Sequence, residues 1–279
     1  TNTLKSVQDI NTFGKMVDYT LNKQLENGGW ALNGTTADPD ITGMALQSLA
    51  PYYVDKARYE SLSASKSYEE FKVAVERGVK VLADIQLDNG GYKSFGASNS
   101  ESIAQVIVAL TALNINPLSA NVTLPTIGET VSFVKAGSVI EGVITNNMLD
   151  AILTFFVLDA SNTPGVGGFK HIVTDSVNQM ASEQALYALI AYERFKDGKN
   201  SLYDMSDMKN GEYQSMKAKS YQAKIGNEVK NYSPYAVIEL AEGEKQDGKI
   251  FTSWNTKEDG TGSVYNISDN LVMPKHDIT

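Results

Sequence analysis

Three turns in which two glycines precede an aromatic residue constrain this chain more than any other feature. They read QLENGGW at 24–30, QLDNGGY at 86–92 and PGVGGF at 164–169. Each turn is followed by an apolar run of helical length, at 41–53, 102–113 and 182–195. One glycine of such a turn can adopt the left-handed conformation that ends a helix, so the pattern predicts helical hairpins. Hairpins of this kind bury their apolar faces only by stacking side by side.

Amphipathic stretches before the turns predict the outer helices of these hairpins. Apolar residues recur at helical spacing over 6–25 and 68–87, and we expect a further helical pair at 128–136 and 146–158. The stretch NNMLDAILTFFVLD is apolar nearly all round and is predicted to be buried. The sequence therefore predicts a mainly α fold, a partial α/α toroid of helical hairpins.

The chain changes character near residue 197, where apolar periodicity gives way to a polar stretch. We assign 1–208 to the repeat domain, 209–231 to a linker, and 232–279 to a small β module. Three short β-like runs support the module, YAVIEL, KIFTSW and GSVYNI, separated by Gly, Asp and Lys turns.

Composition excludes several function classes. The net charge is −9 without a block of Lys or Arg, which argues against a nucleic-acid partner. No apolar run approaches the roughly 20 residues of a membrane helix, so we expect no membrane insertion. The absence of cysteine removes thiolate nucleophiles and thiolate metal ligands, and only two histidines are present. We therefore predict neither a metal site nor a cofactor.

The repeats and the tail each resemble a known family. The three turns with their following helices resemble the prenyltransferase/squalene-oxidase repeat found in large surface proteins of Gram-positive bacteria. The tail GKIFTSWNTKEDGTGSVYNISDNL resembles the internalin-type B repeat (Listeria–Bacteroides repeat), a β-grasp-like module; the matching residues are Phe251, Trp254, Asn255, Asp259, Gly260 and Gly262. These resemblances imply an extracellular, cell-surface location. They also lead us to expect a fragment of a longer protein, with a truncated final repeat and with further sequence or a second copy covering the open toroid.

The acidic stretch Asp38-Pro39-Asp40 has two interpretations. In the terpene cyclases of the superfamily an Asp-x-Asp-Asp-Thr acid at this place protonates an alkene, but here Ile41 replaces the third acid. In the other interpretation Asp38 caps a helix, Pro39 occupies its first position and Asp40 interacts with the helix dipole. We favour the cap.

The predicted function is therefore non-catalytic binding or display, with a terpene cyclase or prenyl-diphosphate enzyme using Asp38 and Asp40 as the alternative. The ligand is a small molecule or a protein, held by the toroid or between toroid and β module; by analogy with the cobalamin carriers it could be hydrophobic or corrinoid-like. Gln105 and Gln184 occupy equivalent repeat positions and are expected to bond to backbone. Candidate binding residues lie where turns meet inner helices: Trp30, Asp40, Tyr92, Glu101, Phe169 and His171.

Overall fold

The computed structural model describes residues 11–140, 143–158, 167–204, 206–207, 221–232, 237–243, 247, 249–257, 259–267 and 269–272. These residues form seven helices and seven two-stranded antiparallel sheets. The chain divides into two compact units. The first comprises Thr1–Val157 and Gly167–Asp207, and the second comprises Leu158–Val166 and Met208–Thr279.

All seven helices belong to the first unit. They are α1 (Phe13–Asn22), α2 (Pro39–Tyr53), α3 (Lys56–Glu60), α4 (Tyr68–Asp84), α5 (Ser100–Ala112), α6 (Met148–Leu153) and α7 (Gln179–Lys196). The helices predicted at 6–25, 68–87, 41–53, 102–113 and 182–195 correspond to α1, α4, α2, α5 and α7, although residues 1–10 lie outside the described part. Among the described residues, no helix has the length and hydropathy to cross a bilayer.

Side-chain caps explain where the long helices begin. Asp38, Asn99 and Asn178 accept backbone N–H groups at the starts of α2, α5 and α7, and Ser67 forms a capping box with Glu70 at the start of α4. Such caps satisfy N–H groups that have no partner inside the helix. The predicted cap function of Asp38 is confirmed.

Helices α2, α5 and α7 lie side by side, with α5 in the middle. Every residue of α5 from Ser100 to Thr111 is buried, so this helix is enclosed on all sides. Helix α7 buries a stripe of small side chains, Ala181, Ala185, Ala188 and Ala191. Small residues at helical spacing allow two helix backbones to approach closely, which suits the contact with α5.

The region predicted as a further helical pair folds differently. Residues 128–136 hold strand β4 (Glu129–Val131) rather than a helix, and 146–158 hold the short α6 followed by strand β7 (Phe156–Leu158). Burial alternates in the first segment, since Val131 and Phe133 are buried while their neighbours are not; that period of two is typical of a strand. Phe156 is 42% exposed and Leu158 is 45% exposed, so the second segment is not buried throughout.

The remaining strands of the first unit form short hairpins between the helices. They are β1 (Lys93–Ser94), β2 (Ala97–Ser98), β3 (Val122–Leu124), β5 (Ser138–Ile140), β6 (Val143–Thr145) and β8 (Gly167–Phe169). Pairs form between β1 and β2, β3 and β4, β5 and β6, and β7 and β8.

The described residues of the second unit include six strands that begin after residue 220. They are β9 (Tyr221–Ile225), β10 (Glu228–Tyr232), β11 (Val237–Glu239), β12 (Trp254–Asn255), β13 (Val264–Tyr265) and β14 (Asn270–Val272). The segment 209–231, predicted as a linker, holds β9 and most of β10, while 208–220 lie outside the described residues. Trp254 donates from Nε1 to the carbonyl of Ala241 at 2.9 Å and packs against Phe251, with ring centroids 5.1 Å apart.

Candidate functional site

The first two glycine turns share one hydrogen-bond arrangement. Gln24 donates its side-chain amide to the carbonyls of Gly28 and Ala74, each at 2.7 Å. Gln86 does the same to Gly90 at 2.9 Å and Phe133 at 3.2 Å. Each glutamine thus closes its own turn and ties it to a residue about fifty positions away. Residues 164–166 of the third turn lie outside the described part of the chain.

The aromatic residues of the turns face the protein interior. Trp30 is 3% exposed and donates from Nε1 to the carbonyl of Thr20 at 2.7 Å. Tyr92 is fully buried and donates its hydroxyl to the carbonyl of Leu82 at 3.0 Å. Phe169 is 6% exposed and belongs to the same core. The structure therefore places these three candidate binding residues among the helices that they join.

The other candidates lie near the N-terminal ends of α2 and α5. Asp38 accepts from the backbone N–H groups of Asp40 at 2.9 Å and Ile41 at 3.1 Å through Oδ1. Its Oδ2 accepts from the hydroxyl of Ser94 at 2.5 Å, so both carboxylate oxygens have partners. Asp38 therefore joins the first turn of α2 to Ser94.

Asp40 has a different environment from Asp38. Its Oδ1 is buried and has no hydrogen-bond partner among the described residues. Burial raises the pKa of Asp40 above its ordinary value of 3.8, and the nearby charges of Asp38 and Glu101 raise it further, while the hydroxyls of Ser102 and Ser94 lower it. A carboxyl in such a place keeps its proton to a higher pH than a solvated one.

Glu101 and His171 lie within hydrogen-bond distance of each other, close to Asp40 in the fold. Nδ1 of His171 lies 2.9 Å from Oε2 of Glu101, which also accepts from the hydroxyl of Ser100 at 3.0 Å. The Glu101 side chain is 7% exposed and that of His171 is 44% exposed. With Nδ1 protonated, the histidine donates to the carboxylate, which fixes its ring on the loop before α7.

Sequence reasoning identified Asp40, Glu101 and His171 but not the serines between them. Ser94, Ser100 and Ser102 supply the hydroxyls around the acids. Asn99 caps α5 and accepts from Ser102 N at 2.8 Å. A serine on each side of Glu101, directly after an asparagine cap, was the available signal.

Two of the clefts on the described residues have linings that include neither Asp38, Asp40 nor Glu101. One, of about 620 Å³, lies in the first unit at the C-terminal ends of α2, α5 and α7. The other, of about 550 Å³, lies in the second unit between the β9–β10 hairpin, β11 and Trp254. Within the described ranges no group of three or more His, Asp or Glu side chains is arranged to hold a metal ion.

Comparison with known proteins adds no relative. No protein-family model, no curated protein and no solved structure matches the chain. Function is therefore inferred from the residues and their geometry.

Proposed function

We propose that residues 11–207 are part of an α/α toroid that serves as a non-catalytic binding and display domain. Two observations support the hairpin repeat. Gln24 and Gln86 form equivalent hydrogen bonds in their turns, and α2, α5 and α7 lie side by side. In this arrangement the turns and helix caps hold inner helices in a fixed wall, and ligands bind at its open ends. Rigid helical walls of this kind favour preorganised sites.

The observation that carries the proposal is the bonding of Asp38. An acid-dependent enzyme at this position requires acids that are free to exchange protons with a substrate. Asp38 instead closes the first turn of α2 with Oδ1 and binds Ser94 with Oδ2. Its geometry is that of a helix cap.

One observation favours the alternative, acid catalysis on a terpenoid or prenyl diphosphate. The buried Oδ1 of Asp40 lacks a partner among the described residues, and burial raises the pKa of Asp40. Such a carboxyl could protonate an alkene if a substrate reached it. Catalysis of that kind also requires an enclosed apolar pocket around the acid, and the two clefts described above are lined by other residues.

We further propose that the domain works outside the cell, on the bacterial surface, and that its ligand is a small molecule or a protein. The resemblance of the tail to the internalin-type B repeat supports this location. An antibody raised against the chain should stain intact cells of the source bacterium without permeabilisation. Staining that requires permeabilised cells would contradict the location.

The functional choice is tested by incubating the purified chain with squalene and with farnesyl and geranylgeranyl diphosphates. We expect no product above a buffer blank for the wild-type chain or for Asp40→Asn. Turnover by the wild type that is abolished in Asp40→Asn would establish the enzyme instead. Asp175→Asn, at an exposed residue, serves as the matched substitution.

A further inference from the structure

The cleft of about 620 Å³ at the C-terminal ends of α2, α5 and α7 is a second candidate site, at the opposite ends of these helices from Asp40 and Glu101. Residues from α2, α5 and α7 form its floor and sides, and residues 198–204 complete it. Its volume lies within the range usual for small-ligand sites, about 300–1,000 Å³. A ligand here would touch three repeats at once.

The loop that completes the cleft is fixed in place. Arg194 of α7 binds both carboxylate oxygens of Asp207, at 2.7 and 2.8 Å, and donates from Nε to the carbonyl of Asn200 at 2.9 Å. The Asp207 carboxylate also accepts from the N–H of Asn200 at 3.1 Å. A single guanidinium nitrogen, Nη2, contacts both carboxylate oxygens, while Nε binds the Asn200 carbonyl. The wall is therefore formed before any ligand binds.

The charges that line the cleft balance. Asp55 and Asp204 contribute two acids, and Arg58 and Lys199 contribute two bases, so the lining is formally neutral. Among the described residues, neither Arg58 nor Lys199 forms a salt bridge with a carboxylate. A strongly anionic ligand would meet the two acids, and a strongly cationic ligand would meet the two bases.

The uncharged lining offers both an aromatic face and polar groups. Tyr203 is 67% exposed, so much of its ring is open to a ligand. Asn114 adopts a left-handed backbone conformation, φ 60°, at the end of α5, and its amide contributes a donor and an acceptor to the same lining. A ligand that fits must carry hydroxyl groups that donate and accept, together with a flat apolar face.

We propose that this cleft binds a neutral oligosaccharide. The ring face of Tyr203 packs against the apolar face of a sugar, and Asn114, Asp204 and Arg58 bond to its hydroxyl groups. The inference rests on the proposed binding function and specifies the chemical class of the ligand. Sugars combine paired hydroxyls with C–H faces, which is the combination that this lining matches.

The test is an array of immobilised neutral, sialylated and sulfated oligosaccharides probed with the labelled full chain, followed by titration calorimetry of any hit. We expect retention on neutral glycans and at least tenfold weaker signals on sulfated ones. Tyr203→Ala and Asn114→Gly should each weaken the affinity by about tenfold, as lost ring contacts and hydrogen bonds typically do. Asn114→Gly keeps the left-handed backbone accessible, so it removes only the side chain.

Tyr19→Ala is the matched control, since Tyr19 is 66% exposed but lies on α1, away from the cleft. It should leave the glycan affinity unchanged. The absence of neutral-glycan binding would overturn the inference, as would preference for sulfated glycans or equal binding by Tyr203→Ala and Tyr19→Ala. The glycan experiments measure binding and the terpenoid experiment measures turnover. The glycan inference can therefore fail while the proposed non-catalytic function stands.

Discussion

The side-chain amide of Gln105 donates to Oε1 of Gln184 over 2.9 Å and joins α5 to α7. Gln47 continues the chain on the other side, since its amide donates to Oε1 of Gln105 at 2.8 Å and to the Gln105 carbonyl at 3.0 Å. Three glutamines therefore link three parallel helices in one row. These amides, buried at Gln105 and half-buried at Gln47 and Gln184, fix the register of neighbouring helices, because a shift would leave polar groups unpaired.

This row predicts energetic coupling between Gln105 and Gln184. Gln105→Leu should lower the free energy of unfolding by about 1–2 kcal/mol, because the half-buried amides of Gln47 and Gln184 each lose a side-chain partner. The double-mutant cycle with Gln184→Leu should show a coupling of about 0.5–3 kcal/mol in urea unfolding. Gln179→Leu, at an exposed position of α7, should be additive with Gln105→Leu. Additivity of Gln105→Leu with Gln184→Leu would mean that the two amides do not interact.

The second glycine turn predicts a strong difference between two glycine substitutions. Gly90 has φ 84° and Gly96 has φ 93°, so both backbones favour glycine. A Cβ on Gly90 would lie within the backbone of Asn147, the cap of α6, whereas a Cβ on Gly96 would meet open space. Gly96→Ala should lower the free energy of unfolding by about 1–2 kcal/mol through backbone strain alone. Gly90→Ala should lower it clearly more. Thermal unfolding of the two variants gives the comparison, and equal losses would be inconsistent with this close approach.

Glu76 of α4 predicts a further stability effect. This fully buried carboxylate accepts from Tyr53 Oη at 3.0 Å, from N and Oγ1 of Thr126 at 2.7 and 2.6 Å, and from Ile127 N at 3.0 Å. Glu76→Gln can keep an oxygen toward the two N–H groups, but it removes the charge and sets an NH2 against the hydroxyls of Tyr53 and Thr126, so we expect a loss of about 1–2 kcal/mol. Urea unfolding measures it against Glu183→Gln, an exposed substitution expected to change stability little. A neutral Glu76→Gln would refute the bonding described here.

The environment of Asp40 predicts how stability changes with pH. Because burial raises the pKa of Asp40 above 3.8 in the folded state, the folded chain binds this proton more tightly than the unfolded chain. Below about pH 3.8 Asp40 is protonated in the folded and in the unfolded chain, and its contribution to stability is at its most favourable. That contribution is lost as the pH rises through the raised pKa of Asp40 in the folded chain, because the buried carboxyl then has to ionise. Asp40→Asn lacks this dependence. The variant should gain stability relative to the wild type between pH 3.5 and pH 7, as measured by urea unfolding.

The same pair of proteins contains its own control, since carboxylates that do not interact with Asp40 cancel in the difference; Asp38 and Glu101 are the two that interact with it. A stability difference that stays constant with pH would show that Asp40 titrates as a solvated carboxyl. A difference that moves toward the wild type with rising pH would show that the ionised form is stabilised instead.

Much of the helical part of the fold could be predicted from the sequence, and the reasons are local. The apolar periodicity of α2, α4, α5 and α7, and the cap residue Asp38, act within one helix, so they can be read from neighbouring residues. The segment 128–136 was mistaken because short apolar runs suit a strand as well as a helix. Its pairing with β3 depends on residues that sequence periodicity does not reveal.

The site was harder to predict than the helices. Asp40, Glu101 and His171 were expected near the turns, but their relation to Ser94 and Ser100 depends on contacts between repeats. The glutamine row shows the same limit. Gln105 and Gln184 were expected to bond to backbone, whereas they bond to each other, because only the packing of α5 on α7 brings the two amides together. Contacts across helices follow from packing, which local patterns do not specify.

We propose above that Asp38, Asp40 and Glu101, at the starts of α2 and α5, have a structural role and do not form a catalytic centre. The most direct measurement is product analysis by mass spectrometry after incubation of the wild-type chain and Asp40→Asn with squalene and prenyl diphosphates. The claim predicts unchanged substrate in both samples. Cyclised or hydrated product from the wild type, absent with Asp40→Asn, would contradict it.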